Sequence, residues 1–257
     1  MNRRFEGRAV VVTGASKGIG FACAQAFVGE GARVAIVSRS RDNLDAALIK
    51  LPQAVAIAAD LRDPRDAARM VDEAEAALGP IDVLVNSAGA AKRHAPDELT
   101  AQAWRDAMDA KFFSYIYPTD IVVKRMAARG RGVIVNIIGM GGKVAQPPHL
   151  AGGSANAALM LATAGLAAAY GPKGVRVNGI NPGGTLTDRV QAGLAVESRM
   201  TGRPAAELLA QAQAKIPLRR LGTPEEVAKV ALFLACDDAS YVTGAIVPMD
   251  GGAGSVT

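Results

Sequence analysis

The chain has 257 residues, of which 50% are hydrophobic and 21% charged, so it can bury a full core and is not expected to be disordered. Its formal net charge of +5 is modest for that length and the basic residues are dispersed, which argues against a nucleic-acid partner. The start, "MNRRFEGRAVVVTGAS", carries no long apolar stretch ending in a cleavage site, and the most apolar helical pattern, about 155–169, reads as too short to span a bilayer. The expectation is a soluble cytoplasmic protein with no membrane partner.

In chain order, "AVVVTG" reads as a strand and is followed by a helix from about Gly18 to Glu30. "RVAIVS" is the second strand, with a helix near Asp42–Lys50; "AVAIAAD", "IDVLVNSAG" and "GVIVNIIG" follow, then "VRVNGINPGG" and "GAIVPMDGG". These strands are continuously apolar rather than alternating, as in a parallel sheet covered on both faces. Helical patterns with acidic or proline starts lie between them, among them "DPRDAARMVDEAEAALG" and "TPEEVAKVALFLA". Cys23 and Cys236 fall in helical patterns without metal-ligand spacing and read as buried free thiols; no metal site is expected. The whole predicts one domain, 1–257, built on a doubly wound, Rossmann-type, seven-stranded parallel sheet with helices on both faces. Its ligand site belongs at the carboxyl ends of the strands, and the irregular stretch of about 183–205 reads as a substrate-covering loop.

"TGASKGIG", Thr13 to Gly20, follows the first strand and opens the first helix. Gly14, Gly18 and Gly20 permit a tight turn and close backbone approach, and free amides at the helix start, flanked by Ser16, Lys17 and Ile19, suit a pyrophosphate. With "NSAG" at Asn86–Gly89 and "NPGG" at Asn181–Gly184, this spacing resembles the classical short-chain dehydrogenase/reductase family, in register from about Arg8 to Gly252. The resemblance implies a dinucleotide cofactor and a carbonyl/alcohol oxidoreductase. It implies that Asp60 and Leu61 meet the adenine, that Asn86, Ala88 and Gly89 line the adenine-ribose side, and that Pro182, Gly183, Thr185 and Thr187 approach the nicotinamide amide.

Relatives that use NAD place an aspartate at the end of the second strand. Here that strand ends in Ser38 and Arg39, with no carboxylate before Asp42 and with Lys17 close by in the glycine loop. A carboxylate would repel a ribose phosphate and these cations would bind one, so NADP(H) is expected in preference to NAD(H).

The same resemblance implies an asparagine–serine–tyrosine–lysine tetrad, whose tyrosine passes a proton and whose lysine holds the ribose and lowers the phenol's pKa from about 10. Those four positions carry Lys111, Gly139, Gly152 and Asn156, and no tyrosine between Tyr117 and Tyr170 can restore the pair by a shift of alignment. Asn156 retains the means to hydrogen-bond a ribose hydroxyl. Three readings stay open: a reductase with altered chemistry, a cofactor-binding pseudoenzyme acting as sensor, scaffold or inactive partner, and a lyase or isomerase. For the first, Lys111 and His149 are the candidate surrogate acids, with Lys143 a lesser one; each also reads as a structural or solvated residue. The small-residue helix "SANAALMLATAGLAAAY" suggests a homotetramer, or a homodimer, and Arg189 and Arg199 in the covering stretch are candidates for an anionic substrate or for plain solvent exposure.

Overall fold

The computed structural model describes residues 3–89 and 91–254. Seven strands, β1 (Ala9–Thr13), β2 (Arg33–Ser38), β3 (Val55–Ala58), β4 (Val83–Asn86), β5 (Gly132–Ile137), β6 (Val175–Pro182) and β7 (Ile246–Met249), form one sheet in the order β3-β2-β1-β4-β5-β6-β7. Every pairing is parallel; Val11, for example, lies between Ala35 of β2 and Leu84 of β4. The order reverses between β1 and β4, and an open parallel sheet leaves a crevice at such a switch point.

The strands are apolar throughout because both faces are covered. Val10, Val12, Val34, Ile36 and Val135 pack on one face with Cys23 and Phe27 of α1 (Gly18–Gly29) and with Leu232 and Leu234 of α9 (Pro224–Ala235). Val11, Ala35, Val37, Leu84 and Ile134 point the other way. They meet Met70 and Val71 of α3 (Pro64–Leu78) and Val122 and Met126 of α5 (Ser114–Ala128). Strand periodicity sends successive residues to opposite layers, which is why no polar face exists. Both cysteines are free and buried, and burial pushes the Cys23 thiol up to about 12.

Four helix starts are closed by side chains. Ser40 caps α2 (Arg41–Lys50), Asp63 caps α3, Thr100 caps α4 (Ala101–Ala107), and Thr223 with Glu226 forms a reciprocal box at α9. Between α4 and α5 the chain widens into a π-helical turn, Met108–Phe113. Pro118, one turn further on, removes a backbone donor there.

Two expectations need correction. The stretch expected to be an irregular loop is largely helical: α7 (Asp188–Thr201) is followed by α8 (Ala205–Ala214). Asp188 in the first turn and Arg199 in the last complement the helix dipole, and Gly202 at φ +70 closes α7. The apolar helix α6 is also longer than its pattern suggested, spanning Leu150–Tyr170, so shortness is no argument against a membrane. Pro147–Lys173 has the length and hydropathy of a membrane span, but its Ala155, Leu159, Thr163 and Ala167 are buried against the rest of the fold.

Candidate functional site

A cleft of about 660 Å³ opens at the carboxyl ends of β1, β2 and β4. Its floor is the turn from β1 into α1, and the glycines there are set by distance. A Cβ on Gly14, which has φ +65, would lie 2.7 Å from the Ser87 carbonyl oxygen and from Ala88 Cα; one on Gly20 would lie 2.4 Å from the Gly14 oxygen. Only a chain without side chains brings these two loops together.

Helix α1 has no side-chain cap, unlike α2, α3, α4 and α9. Its first amides therefore face the cleft unclaimed by a side chain, with the positive end of the helix dipole behind them. That combination favours a phosphate or another anion.

The cleft's mouth is basic. Lys17 and Arg39 are exposed on its wall, and among the described residues neither has an ion-pair partner. Ser16 Oγ lies 3.1 Å from Ser38 Oγ, tying the glycine turn to the end of β2 beside Arg39. Arg62 also lines the cleft, but its guanidinium is paired with Asp60 at 2.5 Å and holds that carboxyl below its ordinary range. Asp60, expected to meet a base, thus has both carboxylate oxygens engaged by Arg62.

The cleft brings together Gly14, Ser16, Lys17, Gly18, Ile19 and Gly20 with Ser38, Arg39, Asp60 and Leu61, and with Ala88, Gly89 and Thr187. Asn86 is not among its walls: its amide is buried in the sheet and donates to Thr119 Oγ1 and Asn136 Oδ1, so it braces β4 against β5. Pro182, Gly183 and Thr185 are not wall residues either; Gly183 is pressed against Asp250, where a Cβ would lie 2.9 Å from Asp250 Cα. Sequence reasoning missed Arg62, Ser87, Ala110, Ser114 and Asp188. The spacing Asp60-x-Arg62 was a usable signal for the first. Ala110 and Ser114 reach the cleft through the π-helical turn, which no pattern announces.

The reactive end lies beyond Gly89. A Cβ on Gly89 would fall 1.8 Å from the Ala110 oxygen, so the loop after β4 rests directly on the π-helical turn. That turn carries Lys111 inward. Its Nζ donates to Tyr115 Oη at 2.8 Å and to the Ile137 oxygen at 3.0 Å, while Tyr115 Oη donates to the same carbonyl at 2.6 Å. Lys111 is buried in this packed cluster and is not a wall of the cleft, which corrects the expectation that its ammonium projects into open space.

The turn after β5 packs on the start of α6 through glycine. Gly139 has φ +120, its N–H donates to Asn181 Oδ1, and its oxygen accepts from Asn156 Nδ2 at 3.5 Å. A Cβ on Gly153 would lie 2.7 Å from the Gly141 oxygen, and one on Gly142 would lie 2.5 Å from the Ala157 nitrogen. Against this turn sits His149, just ahead of α6. A Cβ on Gly152 would be 2.2 Å from His149 Cε1 and 2.8 Å from Nδ1, and one on Gly141 would be 2.7 Å from Cδ2. The imidazole thus fills the space that side chains at 141 and 152 would take. Asn156 is buried, and its Oδ1 has no hydrogen-bond partner among the described residues. Lys143 and Arg199 are exposed, and the side chain of Arg189 lies outside the described residues.

A family described as enoyl-(acyl carrier protein) reductase matches residues 14–254. Galactitol 2-dehydrogenase (L-tagatose-forming) of Cereibacter sphaeroides is 38% identical over 253 residues, covering 97% of this chain and 96% of that protein. This chain belongs to the short-chain dehydrogenase/reductase family. Another member, L-xylulose reductase of Bos taurus, is 34% identical with 98% of each chain covered. The solved structure of L-sorbose reductase from Gluconobacter frateurii, complexed with NADPH and L-sorbose, superposes with a TM-score of 0.92 at 28% identity over the full length of both chains.

Proposed function

We propose that this family member binds NADP(H) in preference to NAD(H) and interconverts a secondary alcohol of the polyol or sugar type with its ketone, by a route that does not use the usual tyrosine–lysine pair. The observation carrying this reading is the cleft itself: glycine-floored, closed at one end by the uncapped start of α1, with Lys17 on the glycine turn and Arg39 where β2 ends, neither ion-paired among the described residues. The names of the relatives, a galactitol dehydrogenase that forms L-tagatose, an L-xylulose reductase and an L-sorbose reductase, support the substrate class.

Bound nicotinamide would supply or accept a hydride; the protein's share is to bind, orient and move a proton. The amides of Ile19 and Gly20 at the α1 start would hold the diphosphate, and the Arg39 guanidinium with the Lys17 ammonium would make charge-assisted bonds to a ribose phosphate. Asn156 Oδ1, buried without a partner among the described residues, suits a ribose hydroxyl, because such an acceptor otherwise carries an uncompensated desolvation cost of about 1–3 kcal/mol. Holding the reactants in register supplies a large part of the rate.

The tetrad positions of the family fall at Lys111, Gly139, Gly152 and Asn156 in this chain. Two local features support that reading: Gly139 adopts a φ that serine rarely takes, and a side chain on Gly152 would strike His149. The stretch 183–205, mostly α7, would cover the substrate. A homotetramer would form through the outer faces of α5 and α6, where Leu161 is exposed and an apolar groove is lined by Ile116, Ala162 and Leu166.

The test is NADPH consumption with L-tagatose, L-xylulose and L-sorbose, run in parallel with NADH. Slow but saturable turnover favouring NADPH is the expected result. Activity that appears only after Gly139→Ser, Gly152→Tyr and Asn156→Lys are combined would instead identify a cofactor-binding pseudoenzyme.

A further inference from the structure

We infer that His149 is the proton donor and acceptor of this enzyme, its imidazole occupying the space left at Gly152; the inference rests on the cofactor reading above. Three facts converge on the ring. Its Cε1–Nδ1 edge lies against Gly152 and its Cδ2 edge against Gly141, so glycine at both positions is what admits it. Ala91, two residues beyond the cleft-lining Gly89, closes the same space, its Cβ 2.8 Å from the Gly152 Cβ position. Asn156, with its orphaned Oδ1, shares the turn: Nδ2 lies 3.5 Å from the Gly141 Cβ position and bonds the Gly139 oxygen.

The other titratable groups at this end do not fill the space at Gly152. Lys111 and Tyr115 are buried together on the Ile137 oxygen, and Lys143 is exposed. Of the side chains at this end, an imidazole gives and takes a proton near neutral pH most readily and lacks the phenol's need for a neighbouring cation.

In the reducing direction the hydride from NADPH bonds to the carbonyl carbon with its electron pair, and the carbon–oxygen π pair moves onto oxygen. One N–H bond of the His149 imidazolium breaks as that oxygen takes the proton. Alcohol, NADP⁺ and neutral imidazole result, and solvent returns the proton to the ring.

The chain has two histidines, so comparison with His94→Gln assigns the His149 resonances in an NMR titration. The charged and titratable groups on the elements around the ring are Lys92, Arg93 and His94 on the loop after β4, Arg105 and Asp106 on α4, Asp109, Lys111 and Tyr115 on or beside the π-helical turn, and Lys143. All are the same in both oxidation states of the cofactor. A positive nicotinamide disfavours an imidazolium beside it, so the His149 midpoint should fall by about one pH unit in the NADP⁺ complex relative to the NADPH complex. In the ketose assay His149→Asn should lose about 10²–10⁴-fold in turnover with NADPH affinity retained. His149→Ala should regain activity with added imidazole. Equal midpoints in the two complexes, or His149→Asn turning over at the parent rate, overturns the assignment while the cofactor reading stands. Loss of NADPH binding by the parent chain overturns both and is read separately by calorimetry.

Discussion

Gly152→Ala tests the packing of the imidazole without any substrate. Gly152 is the third residue of α6, where alanine gains somewhat less than the roughly 1 kcal/mol it gains in mid-helix. Against that, the new methyl would sit 2.2 Å from His149 Cε1 and 2.8 Å from both Nδ1 and Ala91 Cβ. Overpacking of this kind typically costs about 1–3 kcal/mol, so the net expectation is about 1–2 kcal/mol of destabilisation. For a chain of this size that lowers Tm by roughly 3–6 °C. In a His149→Ala background the ring contacts vanish and only the Ala91 contact remains, so the same substitution should be near neutral. The coupling between the two sites should therefore be about 1 kcal/mol or more, which lies within the range of directly touching residues. Thermal and urea unfolding of the parent, both single variants and the double variant, followed by circular dichroism, measures it. If Gly152→Ala changes stability equally in both backgrounds, the ring does not lie where this account needs it.

Other outcomes follow from the same geometry. Gly14→Ala should remove NADPH binding and destabilise the fold by about 1–3 kcal/mol, since the position has φ +65 and its Cβ would meet Ala88 Cα at 2.7 Å; unchanged calorimetry would refute the cradle. Thr223→Ala should cost about 0.5–2 kcal/mol by opening the α9 box, read by urea unfolding. Glu226, held at about 2 by Arg220 and the Thr223 amide, has a folded-state pKa below its ordinary 4.5, so its contribution is present above that value and is lost as pH falls from 4.5 toward 2. Acid unfolding of Glu226→Gln should be flatter over that window than that of the parent.

Much of the fold was legible because the strands are apolar runs separated by capped helices. Thr223-Pro224-x-Glu226 announces α9 by local chemistry alone, and Gly14 announces the cradle because strand, turn and helix follow each other without a gap. What stayed hidden depends on non-local distance. Nothing in "DAKFFSY" shows that a π-helical turn folds Lys111 back onto Tyr115 and Ile137, so its ammonium could be imagined in open space. Asn86 is a plausible wall residue by position, yet its amide finds Thr119 and Asn136, which lie 33 and 50 residues away in sequence. The role of Gly152 was invisible for the same reason: a missing side chain acquires meaning only when the neighbour filling its space is known.

In the function proposed above, the cleft holds a phosphorylated nicotinamide dinucleotide through Arg39 at the end of β2 and Lys17 beside it. Calorimetric titration of the purified chain and of Arg39→Asp with NADPH and NADH tests it most directly. A charge-assisted hydrogen bond of about 1.5–3 kcal/mol corresponds to roughly a ten- to hundredfold preference for NADPH in the parent chain, and that preference should reverse in the variant. Binding of neither nucleotide, or an order of affinity that Arg39→Asp leaves unchanged, would contradict the account.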